Sequence, residues 1–561
     1  MSLQNQPQPE IPEQTARVAR AAFKKGNLFL KIRDSLGTLF TDEQFKDLFP
    51  VKGQPAEAPW RLALVLLFQF VENLPDRQAA DAVRSRLDWK YALALELEDP
   101  GFDFSVLSQF RQRLLDGKAE ELLLDTLLEI FQEQGWLKAG GNQRTDSTHV
   151  LAAVRVLNRL EKVGQTMVAT LESLAVVAPD WLVSISPPQW FERYGKRAEN
   201  FRLPRTDKER ETWAVQVGYD GFYLMACIQE SSLQAVLSQV PAVVTLQKVW
   251  TEQYEPDSQG PPRFKSSKEL PSAAEQIASP YDSEARFAQK RETGWVGYKV
   301  HFTETCDADT PHLLVHVETT VATVPDDNML STIHPKLAKK GLLPREHLVD
   351  MGYTDSGILA ESLKDFGIDV VGPMAKNPSW QAREGGFDKD QFVVDWEKET
   401  VTCPAGKLSH RWYDYREGKI KVDKTKTGNI HVQFSRSDCT PCEHRALCTR
   451  AKNEARQLML SSREEYEALR TARLRQASKA FIRAYRLRAG AESVHSQAIR
   501  RCDVRHCRYL GEAKTHLQHV ATAAAVNLVR VWHWLCGDPV GKTRVSRYAR
   551  LAPGEGKVCA A

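Results

Sequence analysis

The stretch from Gly294 to Met374 constrains the fold more than any other part of the chain. "GWVGYKVHFTET" alternates Val296, Tyr298, Val300 and Phe302, the two-residue period of a half-buried strand. "HLLVHVETTVAT" is a second such run. "STIHPKLAKKGLL" then reads as a helix, and "EHLVDMGY" as a short buried strand ending at an acid. "DSGILAESLKDFG" is another helix and "IDVVGPM" another strand. Strands followed by strand–helix–strand predict a mixed sheet with covering helices, an α/β fold. Earlier in the chain, "NQRTDSTHVLAAV" reads as one more strand, with Asp146 set among Thr145, Ser147 and Thr148.

The remaining sequence divides around this core. A length of 561 residues allows about three or four domains. Residues 1–28 are polar and Pro-rich at the start, without an apolar signal-peptide core, and are expected to be a flexible tail. Residues 29–138 carry helical patterns. The apolar run Leu62 to Val71 is too short to cross a bilayer, which takes roughly 20 residues. In "DFSVLSQFRQRLLDG", Asp103 or Ser105 can cap a helix whose apolar face holds Leu107, Phe110 and Leu114. Gln109, Arg111 and Arg113 fall off that face, which suits a helical DNA-binding domain as well as a plain bundle. The core is expected over 139–384, with a helical insertion at about 155–280 that breaks at Pro187–Pro188. Residues 385–452 turn to β-type residues, turns and cysteines. Helices return over 453–535, and 536–561 is a basic tail.

Charge is uneven. Net charge is only +4, yet Ala451 to Arg550 holds 20 Lys or Arg against 8 Asp or Glu, a net of +12 that leaves −8 for the rest. Such asymmetry suits a polyanion partner for the C-terminal region, or simply a solvated helical surface.

Three acids stand out. Asp146 lies within the first strand, Asp350 at the end of a later one, and Glu492 on a late helix rich in arginine. Acids at neighbouring strand ends converge on one edge of a sheet, and such a cluster binds hard divalent cations through oxygen. Two Mg²⁺ ions in such a site serve phosphodiester chemistry. Tyr485, Arg488 and Glu492 are spaced to share a helix face. Arg488 and Glu492 could also be an ordinary i, i+4 surface pair; alternatively Glu492 binds metal while Arg488 and Tyr485 hold a DNA phosphate. Asp282, Glu284 and Asp327 could join the site or make ion pairs.

Ten cysteines are spread just as unevenly. None precedes Cys227, and Cys403, Cys439, Cys442 and Cys448 fall together in "TCPAGK" and "DCTPCEHRALC". C-x2-C with two further cysteines is the spacing of a tetrahedral Zn²⁺ site, with His444 as a possible substitute ligand. Zinc there would staple a β insertion with little core of its own; reduced or paired structural cysteines are the other reading. Trp396 and Trp412 in this segment suit core packing better than base stacking. A second metal site around Cys502, His506, Cys507, His516 and His519 is disfavoured by its irregular spacing.

Several of these motifs, in this order, resemble the DDE-type insertion-sequence transposases with a ribonuclease H-like catalytic core. That family's hallmark at the third acid is Tyr, two residues, Arg, three residues, Glu, six residues, Lys. Tyr485, Arg488 and Glu492 match it. Ile499 stands at the lysine position, followed by Arg500 and Arg501, and Arg500 is placed to take over the phosphate contact. "TDST" at Asp146 and "DMGYTD" at Asp350 resemble the first and second acid motifs. "WVGYKVHF", "AKTHLQHVATAAAVNLVR" and "FSVLSQFRQRL" are similar to family segments as well, so the resemblance covers roughly 30–535.

The resemblance implies a ribonuclease H-like mixed sheet with a helical N-terminal domain, a helical insertion and a β-rich Cys insertion. It implies two Mg²⁺ (or Mn²⁺) ions on Asp146, Asp350 and Glu492. Their task would be strand cleavage at element ends, followed by transfer into target DNA. Tyr485, Arg488, Arg500, Arg501, Lys299, Arg111 and Arg113 become the expected DNA contacts. Terminal inverted repeats and target DNA become the partners of a homodimer that is cytoplasmic, nucleoid-associated and free of membrane. A catalytically inactive DNA-binding regulator and a Mg²⁺ nuclease without strand transfer are the alternatives.

Overall fold

The structure is a computed structural model that describes residues 2–3, 9–196, 198–199, 203–257, 260–415 and 430–538. Its centre is a six-stranded mixed sheet. Strand β1 spans Asn142–Leu151. The two-residue strands β2 (Tyr254–Glu255) and β3 (Arg263–Phe264) pair with each other beside the helical insertion. The sheet continues with β4 (Arg286–Lys290), β5 (Thr293–Thr305), β6 (Leu314–Val321), β7 (Glu346–Leu348) and β8 (Asp369–Val371). Its order is β4-β5-β1-β7-β8, with β6 also paired to β5. Neighbours β1, β5 and β6 run antiparallel, and β7 and β8 run parallel to β1.

The expected α/β class therefore holds, and the strand expectations for Gly294 to Met374 match β5 to β8. Strand β4 was not foreseen. It forms a hairpin with β5 whose turn places Arg291 at φ 57°.

Helices cover both faces of the sheet. Successive strand residues point to opposite faces. Thr145 shares a hydrogen bond with His347, which in turn bonds His334 of the helix Met329–Lys339. The next residue, Asp146, faces the helix Ala491–Cys502. The helix Ser356–Phe366 is capped by Asp355, which accepts from Gly357 N and Ile358 N, and ends at Gly367 in the left-handed region.

The helix Glu512–Leu535 ties the N-terminal helices to the sheet. It packs on β6 and on the helices Pro59–Val71 and Leu122–Glu133. Its middle, Ala521 to Leu528, is buried throughout, as a helix packed on several sides requires. Small side chains at Ala521, Ala523, Ala524 and Ala525 admit that close packing. One hydrophobic core consequently runs from Leu28 through this helix to Val300 and Phe302 of β5. The stretch read as a tail contains the helix Glu13–Ala22. Thr15 and Ala19 are buried, and Thr15 Oγ1 donates to the Leu95 carbonyl at 2.8 Å.

The helical insertion has its own core, built on Arg159–Val177, Asp207–Glu230 and Pro241–Gln253. Its helix break falls at Pro187–Pro188, where the sequence placed it. The Cys-bearing insertion carries β9 (Val393–Asp395), β10 (Thr400–Thr402), β11 (Arg411–Asp414), β12 (Ile430–Gln433) and β13 (Gln457–Leu460) around a small separate core. Trp396 packs edge-on against Trp412 and Tyr466, the packing role preferred from the sequence. Most of the basic tail, 539–561, lies outside the described residues.

Candidate active site

Strand register brings two of the three acids together. Arg144 of β1 pairs with Leu348 of β7 in parallel. Asp146 lies two residues further along β1, and Asp350 two residues past Leu348, just beyond the end of β7 where it caps the turn Met351–Tyr353, so the two acids meet at this edge. Asp146 Oδ1 accepts from Ser147 N at 3.0 Å, and Asp350 Oδ1 from Gly352 N at 2.8 Å. Both Oδ2 atoms turn to one guanidinium: Arg488 Nη2 lies 2.9 Å from Asp146 and 3.8 Å from Asp350. Burial raises the Asp146 carboxyl above its ordinary range; Arg488 opposes this and the charge of Asp350 adds to it. Burial also works against the charge on Arg488, and Asp146, Tyr485 and Asp350 outweigh it.

Glu492 does not close this cluster. It is exposed in the first turn of Ala491–Cys502. Residues on either side of it reach Asp146: Arg488, four before, and His495, three after, with Nε2 3.9 Å from Asp146 Oδ2. Glu492 follows the turn that carries Arg488 and precedes His495 by three residues. Its segment is not one continuous α-helix, as the sequence suggested. Lys479–Tyr485 is α-helical, Arg486–Gly490 is 3-10, and the α-helix resumes at Ala491.

Arg144 packs into that break. Arg144 donates to the Leu487 carbonyl, and its guanidinium lies where a Cβ on Gly490 would stand, 2.1 Å from Nη1. Only glycine permits that approach. Arg144 Nε bonds Glu304 Oε1 at 2.6 Å, and Arg530 Nη1 bonds Glu304 Oε2 at 2.6 Å. The linked Arg144, Glu304 and Arg530 thus fix β1, β5, the 3-10 turn and the C-terminal helix to one another.

Sequence reasoning missed two neighbours of the acids. Asp326, not Asp327, approaches the site. Its Oδ2 accepts from Ser147 Oγ at 3.1 Å and its Oδ1 from Lys299 Nζ at 2.8 Å. Burial would raise this carboxyl, but Lys299 holds it below its ordinary range. His495 is the other. Burial lowers its imidazole to about 4, and neither ring nitrogen has a hydrogen-bond partner. A histidine three residues after the glutamate was the only available signal.

The expected DNA contacts are placed as follows. Tyr485 is half-buried and stacks on Phe481, with ring centroids 5.5 Å apart. Arg500 is exposed. Arg501 donates to the Val71 carbonyl at 3.2 Å, and Ile499 packs on the main core. Lys299 is engaged by Asp326. Arg111 is buried and pairs with Asp76 through both terminal nitrogens, and Arg113 donates to the Leu48 carbonyl at 3.0 Å. Arg111 is thus engaged inside the fold, while Arg113 and Arg501 are half-buried and each donates to one backbone carbonyl. Asp282 and Glu284 bond Gly511 N and Glu512 N at the start of the C-terminal helix, away from the acid pair.

The four cysteines of the insertion line one cavity together with His444, and all are free thiols. Lys407 N approaches Cys403 Sγ at 3.3 Å across a turn closed by Gly406. Burial pushes the Cys448 thiol up; Arg456 opposes this, while Cys439, Cys403 and Cys442 add to it. His516 and His519 both bond Thr319 Oγ1, and His516 also bonds Glu121. Among the described residues, no group of three or more His, Cys, Asp or Glu side chains is set to hold a metal ion. The same residues include no helix long and apolar enough to cross a membrane.

Two family models match parts of the chain. The model described as "Transposase DDE domain" matches residues 402–532, which include the cysteines, Glu492 and most of the C-terminal helix. A second, "Transposase domain (DUF772)", matches residues 17–113 in the N-terminal helices. The DDE domain implies a polynucleotidyl transferase-type enzyme. Together the two matches support an insertion-sequence DDE transposase. No curated protein matches the chain.

Proposed function

We propose that the chain is a ribonuclease H-like transposase that cleaves DNA strands at element ends and transfers them into target DNA. The observation that carries this reading is the convergence of the Asp146 and Asp350 Oδ2 atoms on one cationic group. The strand order β6-β5-β1-β7-β8, with β5 antiparallel to both β6 and β1 and with β7 and β8 parallel to β1, supports the ribonuclease H-like assignment.

The residues fit a divalent cation. Two carboxylate oxygens already face a positive charge, Mg²⁺ favours such oxygen donors, and His495 presents unpartnered nitrogens beside them. Asp146 and Asp350 would hold the metal, and Glu492 would complete the set by turning in from its exposed position. A divalent cation supplies charge stabilisation at the reacting phosphate. Arg488, displaced from the acids, positions a phosphate oxygen pair with its fork. Tyr485 supports that arginine, and the exposed Arg500 meets the backbone further along. Two ends must be joined, which calls for a dimer on DNA.

A structural Zn²⁺ on the four cysteines is supported by their shared cavity and by a backbone N–H directed at one sulfur, and binding would draw the thiols together from positions not yet set for a metal. Zinc there would hold the small β insertion in shape.

The test is strand joining with pre-cleaved ends and Mg²⁺. Asp146→Ala, Asp350→Ala and Glu492→Gln are expected to abolish cutting and joining while DNA binding persists. Cutting without joining in the wild type selects the nuclease, and binding with neither activity selects the regulator. Joining that survives all three substitutions overturns the site.

A further inference from the structure

The His495 imidazole is buried beside the acid pair. The residue is 8% exposed, and both ring nitrogens lie inside the fold without a hydrogen-bond partner. Among the described residues it is the one histidine with both nitrogens buried in this way. Buried polar atoms in folded chains nearly always have a partner, so an unmet imidazole next to a carboxylate points to a ligand. Phe302 fixes the ring. It stands opposite Asp146 in the β1–β5 ladder, so the two side chains leave the same face of the sheet. The His495 ring packs on Phe302 with ring centroids 5.8 Å apart and planes inclined by 35°. Nε2 is held there 3.9 Å from Asp146 Oδ2.

That separation is too long for a hydrogen bond, and it suits two donors of one cation. Oxygen and nitrogen ligands stand ~2.0–2.2 Å from a small divalent metal, which sets two of them roughly 3–4 Å apart. Burial keeps the imidazole neutral, so one of its nitrogens offers a lone pair. Arg488 now stands 2.9 Å from the same Asp146 oxygen and has to leave before a metal can join the two groups. An all-oxygen set suits Mg²⁺, whereas imidazole suits transition metals.

We infer that His495 is a nitrogen ligand of the metal held by Asp146 and Asp350, and that it shifts the preference of the site from Mg²⁺ toward a transition-metal dication such as Mn²⁺. The inference rests on the reading of the acid pair as a divalent-metal site.

The test adds Mn²⁺ to the full chain and reads the metal by pulsed electron paramagnetic resonance. The spectrum is expected to show coupling to a directly bound nitrogen, lost in His495→Gln and in Asp146→Ala. Binding titrations give a second readout. His495→Gln should weaken Mn²⁺ about tenfold or more and Mg²⁺ clearly less, whereas a histidine that only packs would affect both cations alike. His495→Asn repeats the comparison where His495→Gln does not fold. Mn²⁺ bound through Asp146 without nitrogen coupling, coupling that survives His495→Gln, or an unchanged metal preference overturns the inference and leaves the acid pair as a metal site. If Mn²⁺ binding does not depend on Asp146, the metal reading fails and takes the inference with it.

Discussion

Arg488 Nη2 lies 2.9 Å from Asp146 Oδ2 and 3.8 Å from Asp350 Oδ2, so the two acids share one guanidinium. Arg488→Ala leaves two adjacent carboxylates without their nearest counter-charge. The side chains of Arg488 and Asp146 keep 18% and 14% exposure, so the loss should fall below the ~3–5 kcal/mol of a fully buried pair, at about 1–3 kcal/mol. Mg²⁺ should recover more stability in the variant than in the wild type, because it would no longer compete with the arginine. Thermal melts with and without Mg²⁺ check this; an equal metal response in both proteins counts against a shared cation position.

Glu492 behaves oppositely in the absence of ligands. It is exposed on the first turn of its helix, so Glu492→Gln should change stability by no more than about 0.5 kcal/mol. Strand joining should nonetheless fall to background. Denaturant melts paired with the joining assay separate the two effects, and retained joining would remove Glu492 from the site.

Local pattern carried the sequence reading where local pattern decides structure. Alternation located β5 and β6, and the strand patterns placed Asp146 within β1 and Asp350 just past the end of β7. The 3.6-residue period correctly buried Leu107, Phe110 and Leu114. The misplaced residues were decided by partners distant in the chain. Arg111 falls off the apolar face of its helix, yet Asp76, 35 residues earlier, draws it inside. The break before Glu492 depends on Arg144 reaching Gly490, a contact invisible to helical spacing. Charged residues hid β4, because an edge strand with exposed Gln289 and Lys290 shows little apolar alternation. Asp326 rather than Asp327 meets the site because of the 3-10 turn Asp326–Asn328, which no periodicity announces.

Acid should loosen the join between the N-terminal helices and the core. Burial alone would raise the Glu121 carboxyl, but the His516 hydrogen bond and the charge of Lys340 hold it down at about 2. A carboxylate depressed on folding stabilises the fold above its unfolded value of about 4.5, and the contribution is lost as pH falls toward 2. Its side chain is 32% exposed, so solvent screening reduces the effect to about 1–2 kcal/mol. Glu121→Gln should therefore lower stability at pH 7 and flatten its decline between pH 4.5 and pH 2, measured by urea unfolding across that range. A parallel decline in both proteins would assign the acid sensitivity elsewhere.

If the four cysteines hold zinc, the purified chain should carry about one Zn²⁺ per molecule, and Cys442→Ser should lose it. The small core around Val401, Ile430 and Val432 should then loosen while the main core stays folded. Elemental analysis reports the first change, and protease sensitivity within 385–452 reports the second. Metal content near zero in active protein would return the thiols to a purely packing role.

Gly490 offers the sharpest test of how the fold positions the third acid. A methyl group there would stand 2.1 Å from Arg144 Nη1, a distance no relaxed structure accepts. Arg144 would have to withdraw, releasing the Leu487 carbonyl and disturbing its bond to Glu304. Gly490→Ala should thus cost about 2–4 kcal/mol, although alanine favours helix at a position whose φ of −67° is already helical. Propensity alone predicts stabilisation, so the sign of the change decides between local preference and tertiary contact. Shortening the opposing side chain should relieve the clash: Gly490→Ala combined with Arg144→Ala should cost less than the sum of the two single changes. A double-mutant cycle in urea measures that coupling, and strictly additive losses would show that Arg144 does not set the turn leading to Glu492.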